Sequence, residues 1–138
     1  RMVGLTARTG RSCVALEPCP AERVSRYGIA GGGVEADGIF RLDAMQEKPA
    51  PEAAPRLRQA DGTALPYHAF AARYLFTPSI FDALDGCPPG RNGEIQLTDA
   101  MRAVMQKEGF HGVPLGGQRL DIGNPKGLIE ASARLEPA

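Results

Sequence analysis

The chain has 138 residues, enough for one domain of ordinary size. Sixteen Lys and Arg balance sixteen Asp and Glu, so the formal charge is zero and no field gathers nucleic acid or anionic lipid. The longest apolar stretch, around residues 70–76, falls far short of the ~18–20 residues that a membrane-crossing helix needs, and no basic-then-apolar leader stands at the N-terminus. The expectation is a soluble, cytoplasmic protein, a single domain over 1–138, with neither nucleic acid nor membrane as partner.

Glycine (17) and proline (12) are abundant. Leu, Ile, Val and Phe together make 29 of the 138 residues, near the lower edge for a self-sufficient core. With no net charge to expand it, the chain should still collapse, around a thin core. Cys13, Cys19 and Cys87 are odd in number and lack CxxC spacing, which predicts ordinary thiols in place of a disulfide framework or a zinc site.

In chain order, Arg1–Thr9 is helix-compatible, with Met2, Leu5 and Thr9 on one side and Gly10 as its stop. It opens without a capping residue, as an element cut from something longer would. Ser12–Leu16 reads as a buried strand. Pro20-Ala21-Glu22-Arg23 is a helical first turn, ending at Tyr27-Gly28. Gly31-Gly32-Gly33 reads as a flexible turn. A strand follows over Gly38–Met45 and leads into Glu47-Lys48-Pro49, where proline closes it.

Residues 49–55 form an extended loop, and Ala69–Phe76 is a second strong strand. Pro78–Leu84 is a short helix with Ile80, Phe81 and Leu84 on one face. Cys87–Gly93 is a turn. Leu97, Met101, Val104, Met105 and Glu108 give the clearest helical period in the chain, and Gly109 ends it. Val113–Leu115 and Leu120–Ile122 read as short strands, and Asn124-Pro125 opens a last helix reaching Leu135. Strands alternating with helices argue for an α/β layer architecture.

Three constellations are candidates for chemistry. In Glu47-Lys48-Pro49, the lysine suits a phosphate as a point charge and the carboxylate suits vicinal sugar hydroxyls. A regular strand would send the two side chains to opposite faces, and the same residues also fit a solvated strand end. Asp121, at a strand end before a glycine turn, sits where ligands and metals bind in α/β sheets, although a carboxylate there also satisfies turn amides. Gly93–Ala100 reads mainly as helix initiation, with Thr98 or Gln96 as cap and Asp99 on the helix dipole. Tyr27-Gly28 and Tyr74 are candidates for sugar contacts. His68 and His111 lie in loop-like surroundings without a Ser, Cys or Asp at diagnostic spacing, so a hydrolase triad is unsupported. No GxxxxGK[ST] motif occurs.

Taken in order, Thr9-Gly10, Ser12–Leu16, Val24-Ser25-Arg26-Tyr27-Gly28-Ile29, Glu47-Lys48-Pro49, Arg73-Tyr74, Gly93–Ala100 and Asp121-Ile122-Gly123-Asn124-Pro125 share their sequence and rough spacing with one family. The chain resembles the carboxyl-terminal half of the bacterial UTP–glucose-1-phosphate uridylyltransferases over nearly all of its length. The resemblance implies part of a Rossmann-like nucleotide-diphospho-sugar transferase sheet with flanking helices, the N-terminal nucleotide-binding half being absent.

It also implies roles for individual residues. Glu47 would accept hydrogen bonds from glucose hydroxyls, and Lys48 would bind the phosphate of glucose 1-phosphate or of UDP-glucose. Gly28 would offer its amide to the sugar, Tyr74 would lie beside the sugar site, and Asp121 would hold Mg²⁺ with a second aspartate. The catalytic pair would be Lys48 and Asp121. The family's glycine-rich nucleotide loop, uracil-binding strands and first metal-binding aspartate have no counterpart here, and Ala72 stands where the family more often has glycine. The chain would then be a fragment inactive alone, or else a non-catalytic sugar-phosphate-binding or dimerisation module. Homo-oligomerisation, through an exposed sheet edge or the last helix, is expected as well.

Overall fold

The computed structural model describes residues 1–90, 93–117, 119–120 and 122–134. Its centre is a mixed six-stranded sheet formed by β1 (Ser12–Pro18), β2 (Gly28–Val34), β3 (Phe40–Glu47), β4 (Leu57–Arg58), β5 (His68–Leu75) and β6 (Phe110–Pro114). The strand order is β3-β6-β1-β5-β2-β4, and β2 also pairs with β3. Parallel pairing of β1 with β6 and antiparallel pairing of β1 with β5 put β1 at the middle. Residues 12–16 of β1 are all buried, as a short continuous apolar run requires of a central strand.

Helices cover both faces. Strand alternation sends Val14 and Leu16 into one cluster with Phe70, Phe110 and the helix residues Ile80, Met101, Val104 and Met105. These belong to α2 (Ser79–Asp85) and α3 (Leu97–Glu108). Cys13 points the other way and meets Leu5 of α1 (Met2–Thr9), with Ile39 and Val113. Burial of a side chain such as Phe110, fully enclosed here, is worth about 1.5–3 kcal/mol. The expected α/β architecture is therefore what forms.

Local signals account for most boundaries. Gly10 caps α1 in the left-handed conformation at φ 65° and donates to the Thr6 carbonyl at 2.8 Å. The Gly127 amide donates to the Asn124 side chain at 2.9 Å, so Asn124 caps α4 (Pro125–Arg134) as its position before proline implies. Pro20 precedes a 3-10 turn over Ala21–Arg26.

Several expectations are corrected. The triple glycine is no turn but the interior of β2, paired along its length with β3. A Cβ at Gly31 would lie 2.8 Å from Cβ of Pro55, and one at Gly32 would lie 2.1 Å from the Arg41 carbonyl oxygen. A side chain would collide with Pro55 and Ala44 at Gly31 and with the Arg41 backbone at Gly32, so glycine fits at both. Phe81 is 69% exposed, so α2 buries Ile80 and leaves Phe81 outside.

Leu97 is 37% exposed while Thr98 is buried, so the inner face of α3 begins at Thr98 and continues through Met101, Val104 and Met105 as expected. His68 and His111 both lie in strands. Leu120 and Ile122 are not in a strand, and Ile122 is 63% exposed; so short a run makes a strand only where it finds a ladder partner.

Candidate active site

The β2–β3 hairpin brings the first candidates together. Gly28 opens β2 and pairs directly with Glu47, the last residue of β3. A Cβ at Gly28 would stand 2.3 Å from Cδ2 of Phe70 and 3.0 Å from Oε2 of Glu47. Only glycine fits there, because the Phe70 ring and the Glu47 carboxylate occupy the space a side chain would need, and Gly28 is itself buried.

Glu47 is held from a third element. The Thr98 hydroxyl donates to Oε2 of Glu47 at 2.7 Å, and Thr98 is only 5% exposed. Thr98 therefore does not cap α3: Gln96 occupies the cap position without a side-chain cap bond, and the threonine fixes one carboxylate oxygen instead. Sequence reasoning missed this role. The signal available was a hydroxyl one position off the apolar stripe of α3, on the side that faces the sheet.

Lys48 follows with φ 43°, a left-handed backbone that residues with a side chain seldom adopt and that is disfavoured before a proline. Its amide donates to the Tyr27 carbonyl at 3.1 Å. The β alternation thus ends at Glu47, and Lys48 is turned by a backbone kink immediately after the carboxylate. Non-glycine residues in such conformations cluster at ligand sites, where surrounding structure holds them. Among the described residues no carboxylate pairs with the Lys48 ammonium.

Tyr74 stands on β5 beyond a bulge. Val14 of β1 pairs with Tyr74 and Leu16 with Phe70, so β5 carries extra residues between those two points. Ala72, inside the bulge, has φ 52°. Past it Tyr74 is 36% exposed and stacks on Phe76, with ring centroids 5.5 Å apart and planes 10° from parallel. Burial pushes the Tyr74 hydroxyl pKa up, the negative charge of Glu47 adds to this, and the positive charge of Arg119 opposes it. Tyr74, Glu47 and Arg119 therefore share one electrostatic neighbourhood.

Gly28, Glu47, Lys48 and Thr98 thus form one connected group, with Tyr74 in its field. Asp121, the expected magnesium ligand, lies outside the described residues. Among the described residues no three His, Cys, Asp or Glu side chains gather as a metal cluster. Burial raises the thiol pKa of Cys13 and of Cys19, which keeps both protonated and unsuited to nucleophilic work. Two concavities lie elsewhere on the surface. One of about 670 Å³ is bordered by Arg23, Arg26, Tyr27, Arg119 and Lys126, reaching, among the described residues, Tyr27 beside Gly28 but no member of the candidate group. The other, about 790 Å³, is bordered by Arg11, Glu35, Arg41 and Lys107.

A family profile described as nucleotidyl transferase matches residues 2–137. The chain belongs to the nucleotidyl transferase family. It is 37% identical over 132 residues to a UTP–glucose-1-phosphate uridylyltransferase of Pseudomonas aeruginosa, covering 96% of this chain and 44% of that protein. The corresponding protein of Streptococcus pneumoniae is 37% identical over 126 residues, covering 91% of this chain and 39% of its own length.

Among solved structures, an apo UDP-glucose pyrophosphorylase superposes with a TM-score of 0.83 at 35% identity, over 96% of this chain and 45% of its own. A UDP-glucose pyrophosphorylase complexed with UDP-glucose gives 0.78 at 34% identity, over 96% and 47%. This nucleotidyl transferase chain therefore spans less than half the length of the relatives it matches.

Proposed function

We propose that the chain is the sugar-phosphate-binding, carboxyl-terminal portion of a UTP–glucose-1-phosphate uridylyltransferase, working in the cytoplasm. The observation that carries this reading is the Glu47 carboxylate, fixed by Thr98 and paired in the sheet with Gly28, with Lys48 turned out of the strand next to it. A carboxylate held in a fixed direction suits sugar hydroxyls, and an ammonium with no carboxylate partner among the described residues suits a phosphate. The names of the relatives support the same substrates.

In the proposed reaction a phosphate oxygen of glucose 1-phosphate attacks the α-phosphorus of UTP. A new P–O bond forms as the bond to the leaving pyrophosphate breaks. Such chemistry depends on positioning and charge neutralisation. Glu47 and Gly28 orient the sugar, Tyr74 borders it, and Lys48 offsets phosphate charge. Magnesium, when bound, would neutralise phosphate charge, and Asp121 is the residue of this chain proposed to hold it. An ion held by one or two carboxylates, Asp121 being this chain's, fits the way magnesium keeps waters and phosphate oxygens as its other ligands.

We extend the proposal to self-association. α4 leaves Leu128 at 52% and Ile129 at 69% exposed, apolar side chains that suit an interface. A sharp monomer by light scattering at micromolar concentration would count against it.

Calorimetric titration with glucose 1-phosphate and with UDP-glucose, each with and without Mg²⁺, tests the main reading alongside Lys48→Ala. Saturable binding that Lys48→Ala abolishes is the expected result. No heat from either ligand with a folded sample would overturn it and leave a scaffold or dimerisation module.

A further inference from the structure

We propose that Arg119 is a positioning residue that clamps the Tyr27-Gly28 turn against the end of β1. The inference rests on the sugar-phosphate reading for its functional consequence, though not for its geometry. Arg119 Nε donates to Oε1 of Glu17, near the end of β1, at 2.6 Å, with both side chains about four-fifths buried (22% and 20% exposed). The same guanidinium lies over the Tyr27 ring, 5.0 Å from its centroid. Its neighbours in the adjoining cleft differ: Arg23, Arg26 and Arg134 are exposed and enter no ion pair among the described residues.

Tyr27 is where the clamp meets the site. Its amide donates to the Val24 carbonyl at 3.3 Å, and its carbonyl accepts from the Lys48 amide at 3.1 Å. Gly28, next in sequence, pairs with Glu47. One residue therefore links the backbone of Lys48 to the turn that presents Gly28, and Arg119 holds that residue's ring against the end of β1.

A planar guanidinium is needed for this, because it must stack on a ring and donate in its plane to a carboxylate at once; a lysine ammonium cannot do both. Loss of the clamp leaves Tyr27 free to shift, and the Lys48 amide with it. A misplaced orienting group costs affinity out of proportion to the displacement.

The test compares wild type with Arg119→Ala, Arg119→Lys and, as control, Arg134→Ala. Amide hydrogen exchange at Lys48 is read without ligand, and glucose 1-phosphate affinity by titration. Arg119→Ala is expected to speed Lys48 exchange about three- to tenfold, the size of a lost partly buried cation–π contact, with β1 amides unchanged. Affinity for glucose 1-phosphate should fall by a similar factor, Arg119→Lys should not restore either readout, and Arg134→Ala should match wild type.

If Arg119→Ala unfolds, Arg119→Lys carries the test. Unchanged Lys48 exchange in a folded variant overturns the clamp, as does full rescue by lysine. If wild type binds no ligand but the exchange effect appears, the clamp stands and the sugar-phosphate reading falls.

Discussion

The Thr98 hydroxyl donates to Oε2 of Glu47 across 51 residues of sequence. The bond joins the first turn of α3 to the last residue of β3. It leaves the other carboxylate oxygen free of protein donors among the described residues and sets the direction in which it accepts. A half-buried carboxylate oxygen that loses its donor costs part of the ~1–3 kcal/mol that a fully buried one would cost. Thr98→Val keeps the shape and removes the donor. It should weaken glucose 1-phosphate binding about tenfold, a loss of about 1.4 kcal/mol, while Thr98→Ser stays near wild type. Equal affinity for the valine variant, by calorimetry, would show that Glu47 is oriented by something else.

Gly28 is the tightest position of the site. An added methyl would enter the Phe70 ring and crowd Glu47, and Phe70 is itself packed in the main core. Gly28→Ala should therefore destabilise the fold by about 1–3 kcal/mol, the usual cost of overpacking. It should also lower sugar affinity more than the stability loss explains. Denaturant unfolding together with titration of the folded fraction separates the two effects.

Ala72 carries the opposite expectation. Its φ of 52° is a conformation in which an L side chain costs about 1–2 kcal/mol. Glycine removes that cost and returns part of it as unfolded-chain entropy. Ala72→Gly should gain about 1 kcal/mol, a rise in melting temperature of roughly 3–5 °C for a chain of this size. A lower melting temperature would mean that the bulge in β5 is shaped by side-chain packing and not by backbone preference.

The histidines set an acid limit. His111 is 2% exposed; burial pushes its pKa below the ordinary value near 6.5, with Glu35 pulling upward and Arg11 and Arg41 reinforcing the downward shift. Its Nε2 lies 3.5 Å from Glu35 Oε2, and its Nδ1 has no partner among the described residues. His68 shifts the same way, through burial. A histidine with a depressed folded pKa is neutral in the fold and takes up its proton on unfolding. Its stabilisation is complete above the unfolded value and is lost as pH falls below about 6.5. Thermal melts from pH 7.5 to 5 should show this decline, and His111→Gln should flatten it. Identical slopes in the two proteins would remove His111 from the account.

Much of the fold was legible in sequence because its signals are local. The Ser12–Leu16 run, the helical period from Met101 to Met105, Gly10 as a stop and Asn124 before Pro125 each act within a few residues. Glu47, Lys48, Gly28 and Tyr74 were legible as candidates because residue type and order carry over within a family. Phe81 and the glycines at 31–33 were misread because their environment comes from distant chain. An apolar residue on a short helix is buried only if something packs on that side, and a glycine run makes a strand when Pro55 and the Arg41 backbone press against it.

By itself, then, the sequence determined the α/β class, most element boundaries and the residue types proposed to meet a sugar phosphate. Propensity, capping and hydrophobic period are properties of neighbouring residues. Tertiary structure alone decided that Thr98 turns from helix cap to carboxylate anchor, that Lys48 leaves the strand in a left-handed kink, and that Arg119 reaches both Glu17 and Tyr27. Those choices depend on which distant groups arrive within hydrogen-bonding distance, and packing sets that distance.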